Sequence, residues 1–341
     1  MLIHVTRVTS MRPSGLQLRR RTSGGGHRVA MQSSTKLKAG YVVAGTTVSL
    51  ALLLLAGWRT APTPRRLAAV DNVGDAEAVT YDPGTNAYFV SDVHGDPGVK
   101  DGNGTIVRIS ADGKLEDRHF IQGGQKGVTL NAPMGSRVRG DTLWVLDVDA
   151  LRGFNTHSGA PVATIDLAPA GALFLNDFDF APDGGMYVTD MRLRAGANGN
   201  MAPIGPGRIY HVSRDHRVTV ALESSALNFP DGLGWDPKGE RVIIAPFADA
   251  PVQEWHPRAA QPEPVANGKG RFDGVEVEPD GSILITSWND STVSTLEGKQ
   301  LVHRIGPLSM TPADVSMDVR RGRVGIVSME VGRFELWTWS K

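Results

Sequence analysis

The chain has 341 residues, and its 36 Lys and Arg balance 36 Asp and Glu, so no net field draws it toward nucleic acid or an acidic surface. Cysteine is absent, which excludes disulfides, thiolate catalysis and Cys-type zinc sites while leaving the redox compartment open. With 40 Gly, 21 Pro, many short apolar runs and no long amphipathic helical stretch in roughly the last 270 residues, the sequence predicts an all-β domain.

Residues 1–39 are basic and polar, carrying Arg19, Arg20, Arg21, Lys36 and Lys38, and residues 40–58 (GYVVAGTTVSLALLLLAGW) then run without a charge. A basic region followed by an apolar one is the pattern of a secretory signal peptide or an uncleaved signal anchor, and it predicts export to the periplasm or medium, or membrane attachment through residues 40–58. Met31 would give a more ordinary start, making the stretch up to residue 30 a mis-assigned extension. Trp58 stands where a lipoprotein would carry its lipidated Cys, which rules out that anchor. Residues 59–66, rich in Pro and Arg, read as a linker to a mature domain at 67–341.

A short strand rich in β-branched and aromatic residues, ending near a small or acidic residue, recurs six times in that domain. The copies are YFVSD from Tyr88, LWVLD from Leu143, MYVTD from Met186, VIIAP from Val242, ILITS from Ile283 and VGIVS from Val324. A spacing of about 40 to 55 residues is that of a four-stranded propeller blade. Tight-turn sequences such as YDPGTN, APDGG, WDPKGE and EPDGS precede four of the copies, with Pro presetting φ and Gly accepting the positive φ that follows. The last repeat is one strand short. The segment Leu67–Val70, left over before the first repeat, is expected to fill that gap and close a six-bladed β-propeller.

If each innermost strand begins at one face of the ring, Glu77, Asn176 with Asp177, Asp231 and Asp273 converge at the mouth of the central channel. Crowded carboxylates cannot all ionise without a partner, because like charges at close range raise one another's pKa. A hard divalent cation resolves that conflict, and an oxygen-only set of Asp, Glu and Asn suits calcium. Glu77, Asn176, Asp231 and Asp273 are therefore the expected metal ligands.

The order Glu…Asn-Asp…Asp-Gly-Leu…Asp-Gly, with its Asp-Pro and Pro-Asp-Gly hairpins, resembles the SMP-30/gluconolactonase/regucalcin-like propellers over about residues 72–339. More distantly it is similar to paraoxonases and diisopropyl-fluorophosphatase. The resemblance implies a calcium or similar ion at the channel mouth and hydrolysis of lactones or phosphotriesters. By motif, Glu77 matches the glutamate ligand of the first blade, Asn176 the asparagine of a Phe-Asn-Asp-Gly segment, and Asp273 the aspartate of a Pro-Asp-Gly segment. Asp231 replaces an Asn common before Gly-Leu, adding negative charge. Phe272 replaces the Pro before Asp273, and Phe174 stands where sugar-lactone members carry a substrate-binding Arg. Losing that Arg argues against an anionic or sugar-acid substrate and for something less polar.

The expected chemistry is hydrolysis of a small-molecule lactone or related ester, with the cation polarising the carbonyl and Asp273, or else Asp231, acting as general base. Two insertions, Val93–Gly104 and Arg192–Gly207, follow second strands and should overhang the ion as Gly-rich flexible loops. His94 is a candidate proton donor or substrate contact, and Phe174 and Arg192 are candidate substrate contacts. Trp144, Trp235, Trp288 and Trp337 read as packing between blades. The rival reading is a non-catalytic exported propeller that binds a ligand or protein and keeps its cation for structure. A lyase-type propeller would instead lack the full ligand quartet and place His in the pocket.

Overall fold

Each of the six repeats becomes a four-stranded antiparallel sheet in the computed structural model, which describes residues 63–195 and 201–339. The chain opens with β1 (Arg66–Asp71). Blade 1 holds β2 (Ala76–Asp82), β3 (Ala87–Asp92), β4 (Thr105–Ser110) and β5 (Leu115–Gln122). Blade 2 holds β6 (Pro133–Arg139), β7 (Thr142–Asp147), β8 (Ala150–Asn155) and β9 (Pro161–Asp166). Blade 3 holds β10 (Leu175–Phe180), β11 (Met186–Asp190), β14 (Gly207–Val212) and β15 (Val218–Ser224), and between its middle strands the ribbon β12 (Leu193–Ala195) and β13 (Met201–Pro203) is inserted. Blade 4 holds β16 (Pro230–Asp236), β17 (Arg241–Pro246), β18 (Val252–Trp255) and β19 (Glu263–Ala266). Blade 5 holds β20 (Phe272–Val277), β21 (Ile283–Ser287), β22 (Thr292–Glu297) and β23 (Gln300–Ile305). Blade 6 has only β24 (Val315–Asp318), β25 (Arg323–Ser328) and β26 (Arg333–Thr338) from its own end of the chain.

The missing strand of blade 6 is β1, which pairs with β26 from Asp71↔Arg333 to Arg66↔Trp337. The segment left over in the sequence therefore closes the ring, extending one residue past each end of Leu67–Val70. Closure protects strand edges that would otherwise template pairing with another chain.

Apolar residues do not collect in one central core. Six clusters form instead, one between each pair of neighbouring blades, as with Phe89, Leu130 and Phe154 between blades 1 and 2 or Trp255, Tyr187 and Leu233 between blades 3 and 4. At the closure, Tyr88 of blade 1 packs on Phe334 of blade 6 with ring centroids 5.2 Å apart. The strands read as continuous apolar runs because both faces of a blade are covered, and the middle of the ring is left to polar side chains.

The tight turns behave as their residues require. Asp82 accepts from the Gly84 and Thr85 amides at 2.8 and 3.1 Å, and Asp236 accepts from the Lys238 amide at 3.0 Å. One expectation needs correcting. Residues 192–207 are not simply a Gly-rich loop, since Leu193–Pro203 pairing makes a β-ribbon on either side of residues 196–200, which lie outside the described residues. Residues 40–58 also lie outside them, and among the described residues no helix is long and apolar enough to cross a membrane.

Candidate metal centre at the channel mouth

In five of the six innermost strands the pairing with the neighbouring strand slips near the start, between Ala76 and Ala78, Pro133 and Ser136, Leu175 and Phe178, Pro230 and Leu233, and Phe272 and Val275. Such bulges release residues from the ladder and re-aim them, here toward the channel. The residues in the slips occupy equivalent places, so three rings stack down the channel. The uppermost comprises Glu77, Met134, Asn176, Asp231, Asp273 and Ala313. One residue later come Asp177 and Asp314 among small residues, and three residues later come Arg137, Asp179, Glu276 and Ser316.

The Asp-Gly pairs at 231–232 and 273–274 owe their Gly to close approach rather than to turns. A Cβ on Gly232 would lie 1.9 Å from the Asp273 carbonyl oxygen, and one on Gly274 would lie 2.4 Å from Asp314 Oδ1. Neighbouring innermost strands come so close at the mouth that only Gly fits beside each carboxylate.

Glu77, Asp231 and Asp273 each offer a carboxylate oxygen, and these oxygens lie within 4.8 Å of one another. All three residues are buried, and Asn176 hydrogen-bonds to Glu77 and lines the same small cavity as Glu77 and Asp273. Among the described residues no basic side chain pairs with any of the three. Burial pushes the Glu77 carboxyl up to about 7, with Asp314 and Asp177 adding to the rise and the Asn176 bond opposing it. Burial, then Glu77 and Asp177, raises Asp231; burial, then Asp231 and Glu77, raises Asp273. Trp288 Nε1 donates to Asp273 Oδ2 at 2.7 Å, whereas Asp231 Oδ1 is buried with no partner.

A divalent cation fits this donor set. Oxygens bound at 2.3–2.6 Å to one calcium stand at most about 5 Å apart, so the three carboxylates can share an ion without rearrangement. The orphaned Asp231 oxygen is an acceptor that a cation would satisfy.

Deeper in the channel the charge problem is solved by the chain itself. Arg137 donates from Nη2 to Asp177 Oδ2 at 3.2 Å and to the Val275 carbonyl at 2.9 Å, and its Nε lies 4.0 Å from Glu276 Oε2. Burial alone would favour loss of its proton, but Asp177, Asp314 and Glu276 hold the guanidinium charged. The same carboxylates stitch blade to blade: Asp177 accepts from the Leu233 amide at 3.0 Å, Asp179 from Trp235 at 2.8 Å and Asp314 from Val79 at 3.0 Å.

The acidic residues that end the second strands of blades 1 to 3 staple loops. Asp92 accepts from the Asp75 and His94 amides, Asp147 from Asn131 and Ala132, and Asp190 from Phe174 and Arg192, at 2.8 to 3.1 Å. Each pins the segment that leads into or out of the mouth.

Of the remaining sequence candidates, His94 stands on the rim with its side chain mostly in solvent and Nδ1 3.8 Å from Asp92. Arg192 folds back, donating to the Gly171 carbonyl at 2.6 Å beside Asp190. Phe174 is buried with Met191 in the cluster between blades 2 and 3, and Met191 Sδ lies 3.5 Å from the Asn176 amide nitrogen. The two insertions meet, because Val99 and Lys100 of the first line a pocket with Leu193 and Met201 of the second. Trp288 is a correction. It lies past the end of β21, half-buried at the mouth, so it bonds to a site carboxylate and is not simply a blade-packing side chain. Arg137 and Asp314 were missed, although aligning the second and sixth repeats to the others puts both in register.

Residues 76–306 match the SMP-30/Gluconolactonase/LRE-like region. The chain belongs to that family. No curated protein matches the sequence. Solved structures similar to it include the gluconolactonase XC5397 of Xanthomonas campestris, at 16% identity and TM-score 0.59, covering 80% of this chain and 91% of that one. Regucalcin of Agrobacterium tumefaciens, described as a calcium-binding protein, is similar at 14% identity and TM-score 0.56, covering 80% and 95%. Virginiamycin B lyase of Staphylococcus aureus shares the fold at 11% identity and TM-score 0.52, covering 81% and 99%. At these identities the likenesses speak for the fold, and the SMP-30/gluconolactonase membership rests on the sequence match.

Proposed function

We propose that this SMP-30/gluconolactonase-like propeller is a divalent-cation-dependent hydrolase of lactones or related esters, with calcium as the preferred ion. The observation that carries the reading is the meeting of three buried carboxylates from three blades with no basic side chain among them. The neighbouring regucalcin is named as calcium-binding, which agrees with an all-oxygen donor set.

Glu77, Asn176, Asp231 and Asp273 would hold the ion. When bound, it would polarise the substrate carbonyl and offset the negative charge of its ligands. Asp273 is the general base, because the Trp288 indole fixes one of its oxygens at the side of the site where Trp288 meets solvent. It accepts a proton from water as the water oxygen adds to the carbonyl carbon. The bond from that carbon to the ring oxygen then breaks, and the departing alkoxide takes up a proton, giving a hydroxy acid. Phe174 and Met191 on one side and Phe247 and Trp288 on the other give the mouth apolar walls, which lower the local dielectric and strengthen the charge interactions at the reacting carbonyl. Among the described residues no histidine lines the small cavity between the carboxylates, where the lyase reading would place one.

Export through residues 1–58 is part of the proposal, on the strength of the basic segment followed by the uncharged apolar one. The test is a screen of lactones and aryl esters on the full chain with and without chelator, beside Asp273→Asn. Hydrolysis that needs a divalent ion and disappears in the variant is expected. Turnover surviving both treatments overturns the mechanism, and ion binding without turnover of any ester leaves the non-catalytic binder.

A further inference from the structure

The rim of the mouth carries a cation beside the aromatic pair of Phe247 and Trp288. Arg271 lies two residues before Asp273, at the entry to β20, and is exposed. Its guanidinium sits 5.3 Å from the centroid of the Phe247 ring. Phe247 meets Trp288 edge to face at 5.1 Å, and Trp288 donates to Asp273. Arg271, Phe247, Trp288 and Asp273 thus form a continuous wall from solvent to the carboxylates.

Arg271 has its donors free and its backbone fixed. Among the described residues no carboxylate lies within ion-pairing distance of it, whereas Lys100 on the opposite rim pairs with Asp149 at 2.7 Å and Arg192 is tied to Gly171 and Asp190. The nearby carboxylate of Asp249 is engaged by Asn289 at 3.1 Å. The Arg271 backbone has φ +47°, a left-handed conformation that costs a residue with a Cβ, and it is clamped by its amide donating to the Ala248 carbonyl at 2.9 Å and its carbonyl accepting from Trp288 at 3.0 Å. Phe229, at the equivalent place before Asp231, shares this left-handed φ at +61°, so the conformation belongs to the repeat, and in blade 5 it aims an Arg over an aromatic face.

We propose that Arg271 is a specificity-determining residue that anchors a carboxylate on the substrate, so that the preferred substrates are lactones carrying a carboxylate apart from the reacting carbonyl. A planar guanidinium offers a carboxylate two parallel donors, and the ring beneath keeps it in place without using those donors. The ring of the substrate would lie along Phe247 and Trp288, with its carbonyl toward Asp273. This rests on the hydrolase reading above and revises the expectation of a less polar, non-anionic substrate, since a cation stands at the entry of blade 5.

Two lactones matched in shape test it: 5-oxotetrahydrofuran-2-carboxylate and γ-valerolactone, which has a methyl group where the first has its carboxylate. The wild-type chain should prefer the carboxylate in kcat/KM, and Arg271→Met should lower that preference about tenfold, chiefly through KM, as expected for one lost charge-assisted contact. Arg271→Lys should restore part of it, and Lys269→Met, which removes another rim cation, should not change it. Calorimetry with tetrahydrofuran-2-carboxylate, which has nothing to hydrolyse, reports the anchor without catalysis. Binding to wild type that weakens in Arg271→Met upholds the anchor even if neither lactone is turned over, in which case the hydrolase reading falls alone. Absence of binding to wild type, equal binding to both proteins, or an unchanged preference in a folded Arg271→Met protein overturns the proposal.

Discussion

The channel contains two acidic clusters one above the other, and they solve the same electrostatic problem differently. At the mouth Glu77, Asp231 and Asp273 crowd together, and among the described residues no basic side chain pairs with them. Below them Asp177, Asp179, Glu276 and Asp314 surround Arg137, and each sends one oxygen to a backbone amide of the next blade. A buried carboxylate is costly unless it is paired or protonated. The lower cluster therefore belongs to the scaffold, because the chain supplies its counter-charge. The upper one has no counter-charge from the described residues, and that makes it the candidate functional site.

Removing the counter-charge should have the largest effect. Arg137→Met keeps the length and loses the cation, leaving several buried carboxylates facing one another, and should cost about 3–5 kcal/mol in urea unfolding. Adding Asp177→Asn should recover part of that loss. If Arg137→Met is as stable as wild type, the two clusters do not differ in the way described.

A somewhat smaller effect separates the clusters by pH. The folded-state pKa of Glu77, at about 7, lies above its ordinary value of 4.5, so the folded ion-free protein binds protons more tightly than the unfolded chain. Its contribution is thus full below about pH 4.5 and is lost as pH rises through about 7, an upper bound of ~3 kcal/mol for this group. Asp177 and Glu276, also pushed up to about 7 by burial, lean the same way despite Arg137. In chelator, thermal stability should therefore fall between pH 5 and pH 8, and excess calcium should flatten the portion due to the mouth. A slope that calcium leaves untouched would assign the whole effect to the lower cluster.

Asp231→Asn sharpens the contrast from the other side. Less like-charge repulsion should leave the ion-free protein at least as stable as wild type, opposite in sign to Arg137→Met. Stabilisation by calcium, about 2.7 kcal/mol for wild type at a hundred times the dissociation constant, should shrink, and ester hydrolysis should drop about a hundredfold. Paired melts with and without calcium check the sign.

The repeats were legible because each blade rewrites the same physics: a β-rich strand, a Pro or Asp turn and a fixed spacing. The meeting of Glu77, Asp231 and Asp273 was legible because their place in the repeat is shared. Arg137 was hidden, since a single Arg among alternating strand residues looks like surface charge until the ring puts it inside. Asp92, Asp147 and Asp190 repeat just as regularly, but their carboxylates accept from backbone amides and hold loops. Trp288 gave no signal, as only the chain's course past the end of β21 turns its indole toward Asp273.

Trp288→Phe is the smallest change and the most discriminating one for the mouth. It keeps an aromatic ring against Phe247 and deletes only the Nε1 donor to Asp273 Oδ2. A hydrogen bond to a charged acceptor at a half-buried site contributes about 1 kcal/mol, so kcat should fall several-fold, up to about tenfold, with little change in KM. Calcium affinity should weaken by no more than a similar factor, since a group that orients a ligand without bonding to the ion acts through that ligand's position. A loss confined to KM would make Trp288 part of the substrate wall alone and leave Asp273 oriented by other means. A loss in kcat that is absent in Phe247→Leu would show that the indole N–H, not the packing of the aromatic pair, sets the base.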